Sequence, residues 1–256
     1  MSGKVYLIGA GPGAPDLITV RGAEILRRAD IVFHDALVHL DTLTLAVRAE
    51  KIAVGKRCGK RSTAQRFINK RLVDAAHCHA VVVRLKGGDP MLFGRAQEEI
   101  AALQAAGIDY EVVPGVTAAL AASAELGVSL TQRGVSRSVA FVTPRVGEHE
   151  RESEWIRSVL AADSAVLYMA AGQAAQIAAA LQAAGMPADT PAAVVENASL
   201  PEARRLHTSL AGLADAAQWQ ISGPAVIMLG EVFRQADAML EEVVADSLVR
   251  RVNSRR

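Results

Sequence analysis

The run Arg84-Leu85-Lys86-Gly87-Gly88-Asp89-Pro90-Met91-Leu92-Phe93-Gly94-Arg95 follows the apolar stretch Val81-Val82-Val83 and carries the densest set of chemically capable residues in the chain. Adjacent glycines let a ligand approach the backbone without interference from Cβ, so that N–H and C=O groups serve for recognition. Asp89 then falls just past a strand, at the carboxyl end where open α/β sheets bind ligands. Arg95 and Glu98 are three residues apart and share one face of the helix that follows. A lone Asp-Pro reads as a helix cap beside a surface ion pair. The abrupt change from Val-Val-Val to Lys-Gly-Gly-Asp favours a binding floor instead.

Other constellations are less specific. Gly9-Ala10-Gly11-Pro12-Gly13-Ala14-Pro15 follows the first apolar stretch, and Asp35 ends the second, where a ribose-binding acid would belong in a dinucleotide fold. Here, however, the third glycine comes one residue early, and the prolines remove N–H donors that a pyrophosphate needs. A tight turn needing glycine torsions accounts for the loop equally well. Lys56, Arg57, Lys60 and Arg61 form a local basic cluster suited to an anionic ligand. His77-Cys78-His79 resembles a metal cluster, but residues two apart on a helix point to different sides and do not converge on one ion.

These groups need a scaffold. The chain has 256 residues, of which 51% are hydrophobic and only 4% aromatic, a composition suited to Ala/Val/Leu/Ile cores between parallel sheets and helices. With 28 basic and 27 acidic side chains the net charge is +1, which argues against nucleic acid as partner. Two cysteines without a CxxC pair fit a reducing cytoplasm, and no signal peptide or membrane-spanning run is expected. Lys4–Ile8, Ile31–His34, Lys51–Val54, Ala80–Leu85 and Tyr110–Val113 read as strands. Between them, helical spacing links Gly22, Ile25, Leu26 and Ala29 after a Thr19 cap, then Ile68, Leu72, Ala75 and His79, then Ala96, Ile100 and Leu103. This alternation predicts a mostly parallel sheet. A second set follows, with strands at Val139–Thr143, Ala165–Met169, Ala192–Glu196 and Ala225–Leu229 and helices over Trp155–Leu160, Ala174–Ala184 and Ser209–Ala217. The expected organisation is an N-terminal domain over 1–134, a C-terminal domain over 135–246 and a basic tail over 247–256.

The motifs in order identify a relationship. Gly9–Pro15, Ala29-Asp30, Asp35–Val38, Val54–Arg57, Gln65, Ile68-Asn69, Arg84–Arg95, Val113–Ala118, Leu130–Arg133, Tyr168-Met169, Pro191–Asn197 and Gly223–Gly230 resemble the tetrapyrrole methylase family from about residue 4 to about residue 233. The resemblance implies a two-lobed α/β fold, each lobe a sheet flanked by helices, with the active site in the cleft between lobes. It implies methyl transfer from S-adenosyl-L-methionine to positions 2 and 7 of uroporphyrinogen III, giving precorrin-2 and S-adenosyl-L-homocysteine without a metal. Asp35 matches the family's proton acceptor and Lys56 its proton donor. Pro12, Gly87, Gly88, Asp89, Leu92, Thr117, Ala118, Met169 and Ala198 match the methyl-donor site. Arg95, Glu98 and Arg133 match residues contacting the tetrapyrrole, whose eight carboxylates call for cations. A cytoplasmic homodimer is implied as well.

Some positions depart from the family pattern. Ala170 and Ala198 replace glycines, which would crowd the donor if φ > 0 were needed there. Thr143-Pro144-Arg145 replaces Thr-Gly-His, Gln132 a histidine, and Met91 and Ala96 an aromatic and a glycine. A methylase of a later corrin precursor, an NAD(P)-dependent oxidoreductase and a non-catalytic tetrapyrrole carrier are the rival readings.

Overall fold

A computed structural model describes residues 2–55, 65–145 and 154–234, so Lys56, Arg57, Lys60 and Arg61 lie outside the described residues. The chain divides into two compact units, 1–121 and 122–256.

In the first unit the β-branched runs become β1 (Lys4–Gly9), β2 (Ile31–His34), β3 (Glu50–Ala53), β4 (Val81–Lys86) and β5 (Tyr110–Val113). They form an all-parallel sheet in the order β3-β2-β4-β1-β5. Parallel neighbours need crossovers, which α1 (Val20–Arg27), α2 (Leu40–Thr44), α3 (Gln65–Cys78) and α4 (Ala96–Ala105) provide. The period of two along β4 divides its side chains. Val83 and Leu85 enter one core with Ile25 and Leu26 of α1, while Val82 enters the other with Leu72 of α3 and Ile100 and Leu103 of α4. Thr19 caps α1 as expected, its Oγ1 accepting the Gly22 N–H at 3.1 Å. The chain leaves β1 toward β2 and leaves β4 toward β5, in opposite directions along the sheet.

The second unit contains β6 (Val139–Val142), β7 (Ser164–Tyr168), β8 (Pro191–Glu196), β9 (Arg204–Ser209) and β10 (Ala225–Gly230), ordered β6-β7-β10-β8-β9. This sheet is mixed. β10 runs antiparallel between β7 and β8, and β9 antiparallel to β8, to which a short connection joins it. α6 (Trp155–Ala161), α7 (Ala174–Ala183) and a 3₁₀ stretch, Ala211–Trp219, cover its core of Val159, Leu167, Ile177, Leu181, Leu213 and Ile227. α5 (Ala118–Leu126) lies across the division of the chain.

Three glycines lock the loops at the carboxyl edge of the first sheet. A Cβ built on Gly9 would sit 2.6 Å from both the Gly88 oxygen and the Gly115 Cα, and one on Gly115 would strike the Gly88 oxygen. The loops following β1, β4 and β5 therefore touch backbone to backbone. Gly115→Ala is expected to cost about 1–3 kcal/mol by overpacking. Gly172→Ala, where a Cβ meets nothing within 4 Å, serves as the neutral control in urea unfolding. Equal midpoints for the two variants would refute the seam.

Candidate active site

At the carboxyl edge of the first sheet, the loops after β1 and β4 are joined by a two-residue bridge. The Gly88 N–H donates to the Gly11 oxygen at 2.7 Å and the Gly11 N–H to the Gly88 oxygen at 3.3 Å. Both glycines have positive φ, +84° and +67°, which side chains other than glycine seldom tolerate. A pyrophosphate therefore finds neither backbone group of Gly11 free, and the loop meets a 3₁₀ turn, Pro15–Leu17, before α1 begins at Val20. That geometry does not suit a dinucleotide. Nothing stands within 4 Å of where a Gly88 Cβ would be, so the loop edge is open to a ligand that must approach the backbone.

Asp89 does not cap a helix. Its Oδ1 accepts the Met91 N–H and its Oδ2 the Gly115 N–H, both at 2.8 Å, which ties the loop after β4 to the loop after β5. Since the strands are parallel, Pro12, Asp35, Gly87, Gly88, Asp89, Leu92 and Thr117 all fall in the segments that follow the strands on this one edge, and Ala118 opens α5 directly after Thr117. Phe93 and Arg95 both take left-handed backbone conformations, φ 53° and 56°, a strain that persists where surrounding structure over-determines it. Arg95 thus stands at the N-cap of α4, and its Nε and Nη2 donate to Glu98 Oε1 and Oε2 at 2.6 and 2.8 Å. The pair is solvent-exposed, and the hydrogen bond from Arg95 holds the Glu98 carboxyl below its ordinary pKa.

Beneath this edge lies a charge network that the motifs did not reveal. Arg84 and Lys86 share the face of β4 that buries Val82, and their side chains are only 3% exposed. Arg84 donates from Nε to Glu99 Oε1 at 2.9 Å and from Nη2 to Asp35 Oδ1 at 2.5 Å, while its Nη1 reaches the Phe33 and Leu85 oxygens at 3.4 and 3.2 Å. Lys86 Nζ donates to both Glu99 oxygens at 3.2 and 3.1 Å, and Gln65 Nε2 to Glu99 Oε1 at 3.3 Å. Burial works against the Arg84 charge, but Asp35 and Glu99 outweigh it and hold the guanidinium above its ordinary pKa. For Lys86, burial and the neighbouring Arg84 prevail and push the ammonium down. Asp35, 29% exposed, is where this network meets solvent. The signal available in the sequence was the strand pattern Val82-x-Arg84-x-Lys86: two cations continuing a core-facing stripe require buried anions.

In the second unit, β7 and β8 run in the same direction on either side of β10, with Tyr168 and Glu196 near the same edge. Met169 and Ala198 follow there. Met169 is no core residue: it is 49% exposed and has φ 56°. Ala170 and Ala198 are buried and neither has positive φ, whereas Asn197 and Ser199 do, at 54° and 74°. The replaced glycines therefore cause no backbone strain. Two carboxylates missed in the sequence organise this edge. Glu196 accepts the Ser222 and Gly223 N–H groups at 2.7 and 2.6 Å and Arg204 Nη1 at 3.0 Å. Glu125 accepts the Ser199 N–H at 3.1 Å and pairs with Arg205. Arg133 is not brought to this edge. It is exposed on a turn closed by Gln132 and Ser136, whose Leu130 oxygen is bonded by Ser164 Oγ at 2.7 Å, at the start of β7. Among the described residues, no group of three or more His, Cys, Asp or Glu side chains is placed to hold a metal ion, and no helix is long and apolar enough to cross a membrane.

A sequence profile described as Tetrapyrrole (Corrin/Porphyrin) Methylases matches residues 4–214. The chain belongs to this tetrapyrrole methylase family. The methylase is 43% identical over 235 residues to a uroporphyrinogen-III C-methyltransferase of Pseudomonas aeruginosa, covering 91% of this chain and 96% of that protein. It is 40% identical over 239 residues to a siroheme synthase of Psychrobacter sp., with 93% of this chain but only 49% of that longer protein in the match. Among solved structures, the uroporphyrin-III C-methyl transferase from Thermus thermophilus complexed with S-adenyl homocysteine is similar at a TM-score of 0.79 and 38% identity, over 91% of this chain and 94% of that one. Two sheets flanked by helices are thus the family's architecture as well as this methylase's.

Glu196 gives a pH-dependent test of the second unit. Burial alone would raise its carboxyl, but the Gly223 and Ser222 amides and Arg204 outweigh burial and hold it below its ordinary value of 4.5. A carboxyl lowered on folding contributes stability above its unfolded value, and that contribution is lost as pH falls through the folded value. Glu196→Gln is expected to destabilise the methylase by about 1–3 kcal/mol at neutral pH. The gap should close as urea unfolding is repeated below pH 4.5. A gap independent of pH would count against this role.

Proposed function

We propose that this chain transfers methyl groups from S-adenosyl-L-methionine to positions 2 and 7 of uroporphyrinogen III, giving precorrin-2 and S-adenosyl-L-homocysteine. The observation that carries the reading is the Asp35 carboxylate, held by buried Arg84 at the same sheet edge as the open glycine loop. The likeness to a uroporphyrinogen-III C-methyltransferase over nearly the whole of both chains supports the choice of substrate.

The donor supplies an electrophilic methyl group on a sulfonium. The chain's task is to position two reactants for in-line displacement and to manage a proton. Gly87 and Gly88 admit the donor to the backbone, Asp89 keeps their loop against the next one, and Leu92 offers an apolar contact. Pro12, Thr117, Ala118, Met169 and Ala198 complete the donor contacts on the strength of the resemblance. As the carbon–methyl bond forms, the macrocycle gains positive charge and must release a proton. Asp35 is assigned as its acceptor because it matches the family's proton acceptor, is partly exposed, and is gripped by Arg84 through Oδ1 only. Lys56 matches the family's proton donor, and Arg95, Glu98 and Arg133 match residues contacting the tetrapyrrole, the two arginines being the ones suited to its carboxylates; these roles rest on the matched motifs. Arg95 is suited to the task because Glu98 fixes its planar fork in orientation. The resemblance extends the reading to a cytoplasmic homodimer, for which sedimentation at micromolar concentration is the check.

Anaerobic incubation with uroporphyrinogen III and labelled S-adenosyl-L-methionine should yield doubly methylated product. Absence of label transfer by protein that still binds the donor would exclude this substrate. Asp35→Asn is expected to lower kcat by about 100-fold or more while donor affinity stays unchanged. Wild-type turnover in that variant would remove Asp35 from the mechanism.

A further inference from the structure

Glu99 sits one helical residue beyond the exposed Arg95–Glu98 pair, yet it is wholly buried, with its side chain 0% exposed. It is the one carboxylate shared by both cations of β4. Arg84 reaches it through Nε at 2.9 Å and Lys86 through Nζ at 3.1 Å. Apart from Asp35, the rest of the Arg84 fork meets no charged partner among the described residues. Nη1 has only two backbone oxygens at 3.2 and 3.4 Å, and Nη2 has Asp35 itself. The orientation of the guanidinium, and with it the carboxylate it grips, thus depends on the acceptor behind it.

We infer that Glu99 is a positioning residue for the reaction, fixing Arg84 against Asp35 and keeping the Lys86 ammonium away from Asp35. The inference rests on the reading of Asp35 as proton acceptor. With Glu99 neutral, two buried cations face one carboxylate, and the Lys86 ammonium loses both of its anionic contacts. Asp35 is then the remaining acid of the network that attracts both cations, and Lys86 competes with Arg84 for it. The base is displaced or masked from the protein side, although no residue at the open edge has changed. A misplacement of about 1 Å in such a group costs on the order of 100-fold in rate.

Removing the competing cation separates this role from simple packing. Glu99→Gln retains an amide oxygen to accept from Arg84 Nε, so the double variant Glu99→Gln/Lys86→Met restores charge balance and leaves the Arg84–Asp35 pair intact. Wild type, Asp35→Asn, Glu99→Gln and the double variant are compared in the anaerobic methylation assay, with donor affinity and thermal unfolding followed in parallel. Glu99→Gln is expected to lose about 100-fold in kcat with donor affinity and tetrapyrrole KM unchanged, and the double variant to recover most of the loss. If Glu99→Gln does not fold, Glu99→Asp keeps the charge and withdraws the acceptor by one methylene. It is then expected to show the same loss confined to kcat. A double variant no faster than a folded Glu99→Gln, or near-wild-type kcat in Glu99→Gln or Glu99→Asp, overturns the inference. Inactive wild-type protein or a fully active Asp35→Asn would instead overturn the reading on which it rests.

Discussion

Two cations, Arg84 and Lys86, are buried at the carboxyl end of one parallel strand, and the neighbouring elements of the first sheet are arranged to neutralise them. Desolvating a charge is costly unless its partners are well placed, and losing one partner of a buried pair costs about 3–5 kcal/mol. Glu99 must therefore point inward from α4, and Gln65 of α3 must reach the same carboxylate. Asp35 must close the far side of the Arg84 fork. The end of β4, two helices beside it and a partly exposed acid are thereby fixed together. What results is a partly exposed carboxylate whose support lies inside the protein and not in the loops at the strand ends.

Above the network, the loops are held by a different means. Gly9, Gly88 and Gly115 meet through bare backbone, and Asp89 spans two of the loops with both oxygens. The second unit repeats the principle of anchoring a strand-end loop on a carboxylate. Glu196 holds the 222–223 amides, and Glu125 holds Ser199 and Arg205. In that unit the left-handed residues Met169, Asn197 and Ser199 are clustered at the ends of β7 and β8. Ala170 and Ala198 sit among them in ordinary conformations, so these departures from glycine are absorbed by their neighbours.

Much of this architecture was legible because hydrophobic periodicity and strand–helix alternation are strong local signals. Ile31–His34 and Tyr110–Val113 match the observed strands residue for residue, and the Thr19 cap forms. β9, Arg204–Ser209, escaped because an exposed edge strand of charged and polar residues has no apolar alternation to show. Ser209–Ala217 reads as a helix but folds as a 3₁₀ stretch over Ala211–Trp219, a distinction that apolar spacing does not encode. The loop after β4 stood out through Gly-Gly-Asp, whereas the ionic network beneath it did not. Arg84 and Glu99 are fifteen residues apart and meet only after β4 and α4 pack. A sequence motif records what is adjacent along the chain, and this contact is adjacent only in the fold.

The glycine seam also separates what can change from what cannot. Met91 and Phe93 project from the loop after β4 with more than a third of their surface exposed, while the backbone beneath them is locked to two other loops. Side-chain identity at Met91 is thus nearly independent of loop geometry, whereas any residue at 93 must accept the left-handed backbone there. A lineage, or a designed library, can vary Met91 to reshape what the edge contacts without renegotiating the frame, whereas a methyl group on Gly9 or Gly115 strikes the backbone of a neighbouring loop.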